Sequence, residues 1–331
     1  VALLLSDGFD SHGTGAATLS DGDPSWGSQS GVEIAAGAGR YGGKVLYLEE
    51  DTAGSVSIMV SPVGSTLAVA AHYKVSASSG TVELLIDGAG PLLERTSSGG
   101  LRVRDGAGVE LVSADGALPD DTWGWVEVVF APTAISLYLE GDLIGSYSGA
   151  YTYPDVGSLA LLDGGVGNGD TWVDDILVWD DSGSYFNTFG ILPRRIQLLE
   201  PSADGKYSQW VSQGSDPNWA SVNAPDWAGG DGVQATEDGQ RDSYRLSDLA
   251  SSPGLIDAVV VKVRAESTGG THAALKVLSI LGTEAQSSPI PVPSSPGPLK
   301  STLYTDPNGV SWTSTTVRET EFGINLVANG S

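Results

Sequence analysis

The chain contains no cysteine and a single methionine. A disulfide framework, thiol chemistry and thiolate-bound zinc are thereby excluded. Basic residues are scarce: 16 Lys and Arg stand against 41 Asp and Glu, for a formal net charge of −25. Such a surface repels phosphate backbones and anionic headgroups, so no nucleic-acid partner and no docking on anionic lipid are expected. No apolar run approaches the roughly 20 residues that a helix needs to cross a bilayer, and no membrane insertion is expected. The opening VALLL is too short for the apolar core of a secretion signal and has no basic residue before it. Cytoplasmic synthesis without classical export is the expectation. Histidine is rare as well. His12, His72 and His272 are far apart in sequence and show no metal-ligand spacing, and nothing resembles a GxSxG nucleophile elbow.

What is present is turn-rich. The 331 residues include 45 glycines and 17 prolines, with 40% hydrophobic residues, enough to bury the cores of two ordinary domains. The charge is uneven: residues 1–182 carry a net −20 and residues 183–331 a net −5. Short apolar segments follow one another through the first half, among them KVLYLEE, TLAVAAHYKVS, WGWVEVVFA and TAISLYLEGDLIGS. Several alternate with the period of a strand. Leu67, Val69, Ala71, Tyr73 and Val75 share one face, and Ile135, Leu137 and Leu139 another, opposite Ser136, Tyr138 and Glu140. Glu140-Gly141-Asp142 reads as a tight hairpin turn. No stretch shows a capped 3.6-residue period. The expected fold is all-β, an antiparallel sandwich or jelly roll over residues 1–182.

Between residues 183 and 195 the composition shifts, with aromatics, a proline and the adjacent pair Arg194-Arg195. This segment is read as a linker to a second, smaller antiparallel β-sandwich over residues 196–331. That half contains a tryptophan-dotted polar region, then renewed strands such as IDAVVVKVRAE and EFGINLVA. Five prolines between Pro289 and Pro298 read as a stiff surface connection between strands.

Four motifs invite chemistry. Gly37, Gly39 and Gly42 match GxGxxG, but a phosphate cradle must open a helix and this loop runs into a strand, so a hairpin is the better reading. Glycoside hydrolysis needs paired carboxylates, yet WVEVV holds only Glu127. Asp7, Asp10, Asp170, Asp174 and Asp175 would gather if the first strand paired with TWVDDILVWDD. A structural calcium would then take Asp7, Asp10 and Asp174, against the plainer reading of solvated turn carboxylates. On a regular strand Asp174 and Asp175 point to opposite faces, and only a bulge would bring both into one cleft. Nine tryptophans suit stacking on sugar rings, with Trp210, Trp219 and Trp227 in the loop-rich region as candidate glycan or partner contacts. The competing reading places them in the two cores.

The succession LLLSDGFDS, GRYGGKVLYLE, WGWVEVVF, ISLYLEGDLIGS and WVDDILVWD resembles the laminin-G/concanavalin-like sandwich found in structural proteins of tailed bacteriophages. The stretches ILPRRIQLLEPSADGKYSQW, SYRLSDLASSPGLIDAVVVKVRAE and YTDPNGVSWTSTTVRETEFGINLVA resemble the portion that follows in such proteins. The resemblance implies a first strand lying near the Asp-Asp-aliphatic strand, a core tryptophan before the long hairpin, and no catalytic motif. It implies a non-enzymatic virion component, tail-associated or capsid-decorating, assembled in the host cytoplasm. Its partners would be other virion proteins and further copies of itself. The alternative function is a glycan-binding module for a host surface polysaccharide.

Overall fold

The computed structural model describes residues 3–10, 12, 15–16, 26–49, 54–58, 60, 62–77, 80–87, 90–153, 159–162, 169–185, 188–214, 216–223, 232–268 and 273–328. The chain is all-β: its strands pair antiparallel, and the two helices found among the described residues, Asn218–Ser221 and Ser314–Glu319, are short. The second starts at Thr313, whose hydroxyl accepts from the Thr316 amide while the Thr316 hydroxyl accepts from the Thr313 amide. This local capping box leaves no 3.6-residue pattern to read.

The chain divides into two compact units, the first closing at Ile196 and the second running from Gln197. In the first, a nine-stranded sheet has the order Asp142–Ser148, Ala134–Leu139, Gly124–Ala131, Leu67–Val75, Thr171–Asp180, Val45–Leu48, Val32–Ala35, Gly15–Ala16. Leu3–Asp7 pairs with the C-terminal half of Thr171–Asp180, Leu5 opposite Val178 and Asp7 opposite Ile176. A seven-stranded sheet has the order Glu110–Ala114, Leu101–Arg104, Leu92–Arg95, Val82–Asp87, Leu159–Leu162, Ser55–Ile58, Trp26–Ser30. The side chains that alternation assigns to one face fill one continuous core. Val69, Ala71, Tyr73, Val126, Val128, Ile135, Leu137, Val173 and Val178 meet Val82, Leu85, Leu93, Leu101, Val103 and Leu161. The Glu140-Gly141 turn has positive φ at both residues, 52° and 91°, as a two-residue hairpin demands.

The opposite face of the nine-stranded sheet is apolar too. Ala68, Ala70, Trp125, Val129, Leu177 and Trp179 are buried there with Ile191, and Phe189 and Ile196 pack against them. Phe189 and Ile191, from the segment read as a linker, are therefore packed on this sheet, and the first unit runs on to Ile196.

In the second unit a six-stranded sheet orders Pro201–Ser208, Arg241–Leu246, Glu321–Ala328, Ala273–Leu281 and Thr283–Gln286, with Ile290–Pro291 also on Ala273–Leu281. Val259–Ala265 pairs with Gly297–Leu303 in a separate ribbon. The core between them holds Trp312, Val317 and Phe322, packed by Leu246, Val259, Val261 and Leu303, with the Trp312 indole N–H donating to the Leu303 carbonyl at 2.8 Å.

Candidate functional site

The outer face of the nine-stranded sheet gathers more ionisable groups than a buried surface ordinarily tolerates. Its centre is a bulge in Thr171–Asp180. Asp174 stands opposite His72 and Leu177 opposite Ala70, so one extra residue is inserted, and Asp175 takes up the strain with φ 53°. The bulge overturns the opposite-face expectation: Asp174 and Asp175 both line one small cleft, with Asp10, Tyr41, Gly43, Lys44, Arg195 and Ile196. The space open to a water-sized sphere is about 30 Å³, room for a water or two and too small for a sugar ring.

Every carboxylate in the cleft is held by backbone amides. Asp174 accepts from Arg40 N at 3.0 Å and Asp175 N at 2.8 Å. Asp10 accepts from Lys44 N at 2.8 Å, and Asp175 accepts from Ile196 N at 2.7 Å. The loop that matched GxGxxG supplies one of these donors, Arg40, and Lys44 just beyond it supplies another, so these amides cradle carboxylates of the chain itself. A Cβ at Gly39 would come within 2.9 Å of Asp174 Oδ2, and one at Gly43 within 2.5 Å of Asp10 Oδ1. Glycine is what allows the approach.

Burial raises Asp174 and Asp175 from the ordinary carboxylate range to about 7. For Asp174 the neighbouring Asp175 charge adds to burial. For Asp175 the Ile196 amide and the Arg195 and Arg40 charges oppose it. His72, on the face of its strand opposite Ala71, is fully buried, its Nδ1 3.1 Å from Asp175 Oδ2. Burial, with the Arg40 charge, lowers it to about 3, so it is neutral. Arg40 and Arg195 both lie against the Tyr41 ring, at 5.4 and 4.4 Å from its centroid.

The three carboxylates expected around a calcium ion are not brought together. Asp10 and Asp174 share the cleft, while Asp7 is buried in its own network, accepting from Phe9 N and from the Trp26 indole, with His12 Nε2 2.8 Å away. Among the described residues no three acidic or imidazole side chains are grouped to hold a metal ion.

In the sequence Glu127 counts only as a lone acid, too few for glycoside hydrolysis, although its alternation with Trp125 and Val129 places it in an apolar row. It is fully buried, and its two oxygens accept from Gly190 N at 2.7 Å and Ile191 N at 2.8 Å. The Trp125 indole donates to the Ile191 carbonyl at 3.2 Å. At the other end of this face Trp172 is flanked by Tyr47, 5.6 Å between ring centroids, and by Lys74, whose ammonium lies 3.9 Å over its ring. That ring is already engaged by its strand neighbours.

In the second unit Trp210 and Trp219 are half-buried, Trp219 within the short Asn218–Ser221 helix, and Trp227 lies outside the described residues. The Trp210 indole donates to the Gln240 carbonyl, and Asn218 donates to both the Trp210 carbonyl and Asp242. Across the six-stranded sheet runs a partly exposed polar network. Tyr207 O–H and Arg241 Nη1 each reach Glu284 at 2.9 Å, Gln286 donates to Glu284, and Asn325, directly opposite Arg241, donates to Gln286. Burial acts against Glu284, but the Gln286 and Tyr207 hydrogen bonds and the Arg241 charge hold it below its ordinary value.

No family model matches this chain, and no curated protein does. Among solved structures it is similar to the alginate lyase AlgAT5 of polysaccharide lyase family 7, at 15% identity and TM-score 0.32 over 41% of this chain and 77% of that one. It is similar to the carbohydrate-binding module CBM66 from Bacillus subtilis, at 12% identity and TM-score 0.34 over 46% of this chain and 93% of that one. A third is domain 4 of the arabinanase AbnA from Geobacillus stearothermophilus, solved with arabinotriose, at 15% identity and TM-score 0.36 over 54% and 92%. No activity is carried over from them.

Proposed function

We propose that this chain is a non-enzymatic structural component on the outside of a tailed-phage virion, attached through protein–protein contacts. The observation that carries this reading is the ladder joining Leu3–Asp7 to Thr171–Asp180. The sequence resemblance that implies the role also implies that pairing. A sandwich presents loops from a rigid frame, and its edges and aromatic patches suit docking on neighbouring subunits. The uneven charge gives the orientation: the first domain, at net −20, faces solvent, and the second meets the particle. Electron microscopy of the intact particle, with copy number, tests both statements. Hundreds of copies mean a capsid or tail-tube ornament and a handful a tip or fibre, whereas absence from purified particles overturns the role.

The second reading is a glycan-binding module for a host surface polysaccharide. It is favoured by the Tyr207, Arg241, Glu284 and Gln286 network, which sets a carboxylate, a guanidinium, an amide and a phenol side by side, groups suited to pairs of sugar hydroxyls. Binding on an array of host glycans that is lost in Arg241→Ala supports it, and silence across the array removes it. New reducing ends on incubation with β-glucans would instead overturn the non-enzymatic assignment.

A further inference from the structure

Directly opposite residues of an antiparallel pair share a face. Arg241, Asn325 and Lys276 therefore form a row across three neighbouring strands of the second unit's six-stranded sheet, with Asn325 in the middle. Two strand spacings set the backbones of Arg241 and Lys276 about 10 Å apart. The polar groups of this face divide into those already engaged and those left open. Glu284 is engaged at both oxygens, one accepting from Arg241 and Gln286 and the other from Tyr207. Arg245 and Glu321 lie against each other at 3.7 Å. Arg241, by contrast, uses only Nη1, on Glu284 and the Tyr207 hydroxyl, and its side chain is 32% exposed. The Lys276 ammonium meets no carboxylate among the described residues. Lys206 is exposed, its ammonium 4.9 Å from the centre of the Tyr207 ring, which Arg241 also approaches, at 5.2 Å. Asn325 is buried, and its amide oxygen has no donor among the described residues. What remains open is cationic, with one neutral acceptor between.

We propose, building on the glycan-binding reading, that this row takes an acidic sugar, its carboxylate on the open edge of Arg241 and the Lys276 ammonium and a hydroxyl on the Asn325 amide oxygen. The imbalance of donors over acceptors decides the class. A sugar hydroxyl both donates and accepts, so a neutral ring asks for a mixed set of partners, whereas a carboxylate only accepts. Here the one carboxylate beside Arg241 is already met by three donors of the chain. Glu284 thus acts as a brace and not as a ligand group. It fixes the guanidinium in place beforehand, which limits the side-chain freedom lost on binding. Bonds between a guanidinium and a carboxylate are also the stronger kind of hydrogen bond. The chain carries a formal net charge of −25, but at physiological ionic strength charges beyond about 8 Å are largely screened. The cations of the face, and not the total, decide what it attracts.

The test is an array of host surface glycans probed with the full chain, each acidic member printed beside the same glycan with its carboxyl groups reduced to alcohols. Binding to acidic members should exceed that to their reduced counterparts by about tenfold or more, the scale of a charge-assisted hydrogen bond, and should weaken as salt is raised. For the strongest acidic member, titration calorimetry should show a loss of about fivefold in Lys276→Gln, as for an exposed charge pair. That side chain has no partner in the fold, and equal thermal unfolding of variant and wild type confirms that the loss is local. Equal or tighter binding of the reduced glycans, or full affinity in Lys276→Gln, overturns the acidic-sugar assignment and leaves the glycan-binding reading standing. Displacement by polyglutamate at equal charge concentration, as effective as by the glycan itself, overturns recognition of a sugar. Silence on both halves of the array removes the glycan-binding reading and this assignment with it.

Discussion

Asp174 and Asp175 are each buried beside a like charge, and each is met by backbone amides that favour its ionised form. Burial wins, and their folded-state values rise to about 7 from a reference of 3.8. The folded chain therefore holds protons that the unfolded chain has released, in the window from about 4 to about 7. Stability of the first unit should fall as pH rises through that window and level off above it. Urea midpoints at pH 5, 6, 7 and 8 should decrease in that order, and Asp174→Asn should flatten the trend. Trp125 makes the complementary case for apolar residues. It is fully buried, and its indole N–H is bonded to Ile191. Trp125→Ala removes a large buried ring and leaves that carbonyl without its donor, so a loss of about 3–5 kcal/mol is expected from denaturant unfolding.

At the scale of elements, the glycine loop 37–43 and the bulged Thr171–Asp180 strand fit only as a pair. The loop closes with the Gly39 amide donating to the Gly43 carbonyl; the Arg40 amide reaches the strand's Asp174 carboxylate, and the amide of Lys44, the next residue after the loop, reaches Asp10. Gly43→Ala would drive a methyl group into the Asp10 carboxylate that the Lys44 amide already holds. A destabilisation of about 1–3 kcal/mol is expected, in the range of a broken buried hydrogen bond. Gly37→Ala is the informative control: its positive φ carries a cost, but no atom lies within 4 Å of the new methyl group. A smaller loss there, of about 1 kcal/mol, should be measured under the same conditions.

For the molecule as a whole, the end of the first folded unit is the quantity to test. Residues 189–196 cover an apolar patch that includes Trp125, Leu177 and Trp179. A chain ending at Ser182 should expose that patch and leave Glu127 and Asp175 without their amide donors. It should aggregate or bind a hydrophobic dye, where a chain ending at Ile196 unfolds cooperatively. Equal behaviour of the two, measured by size-exclusion chromatography and thermal unfolding, would show that the segment adds nothing to the unit.

The all-β class, the faces of the long strands and the Glu140-Gly141 hairpin are legible in the order of residues alone. Those features are local: the side-chain period of a strand is fixed by its backbone, and positive φ by glycine. The sequence also contained the pairing of the opening strand with TWVDDILVWDD, through the resemblance of its ordered segments. Where the acids point depends on tertiary packing. A one-residue bulge, set by what Thr171–Asp180 meets on its neighbouring strands, turned Asp174 and Asp175 to the same side. Packing of a segment distant in sequence made His72 and Glu127 buried, although strand alternation gives only their face and not what covers it. Burial then set their ionisation, because desolvation depends on every atom that excludes water and not on the residue's own neighbours in the chain.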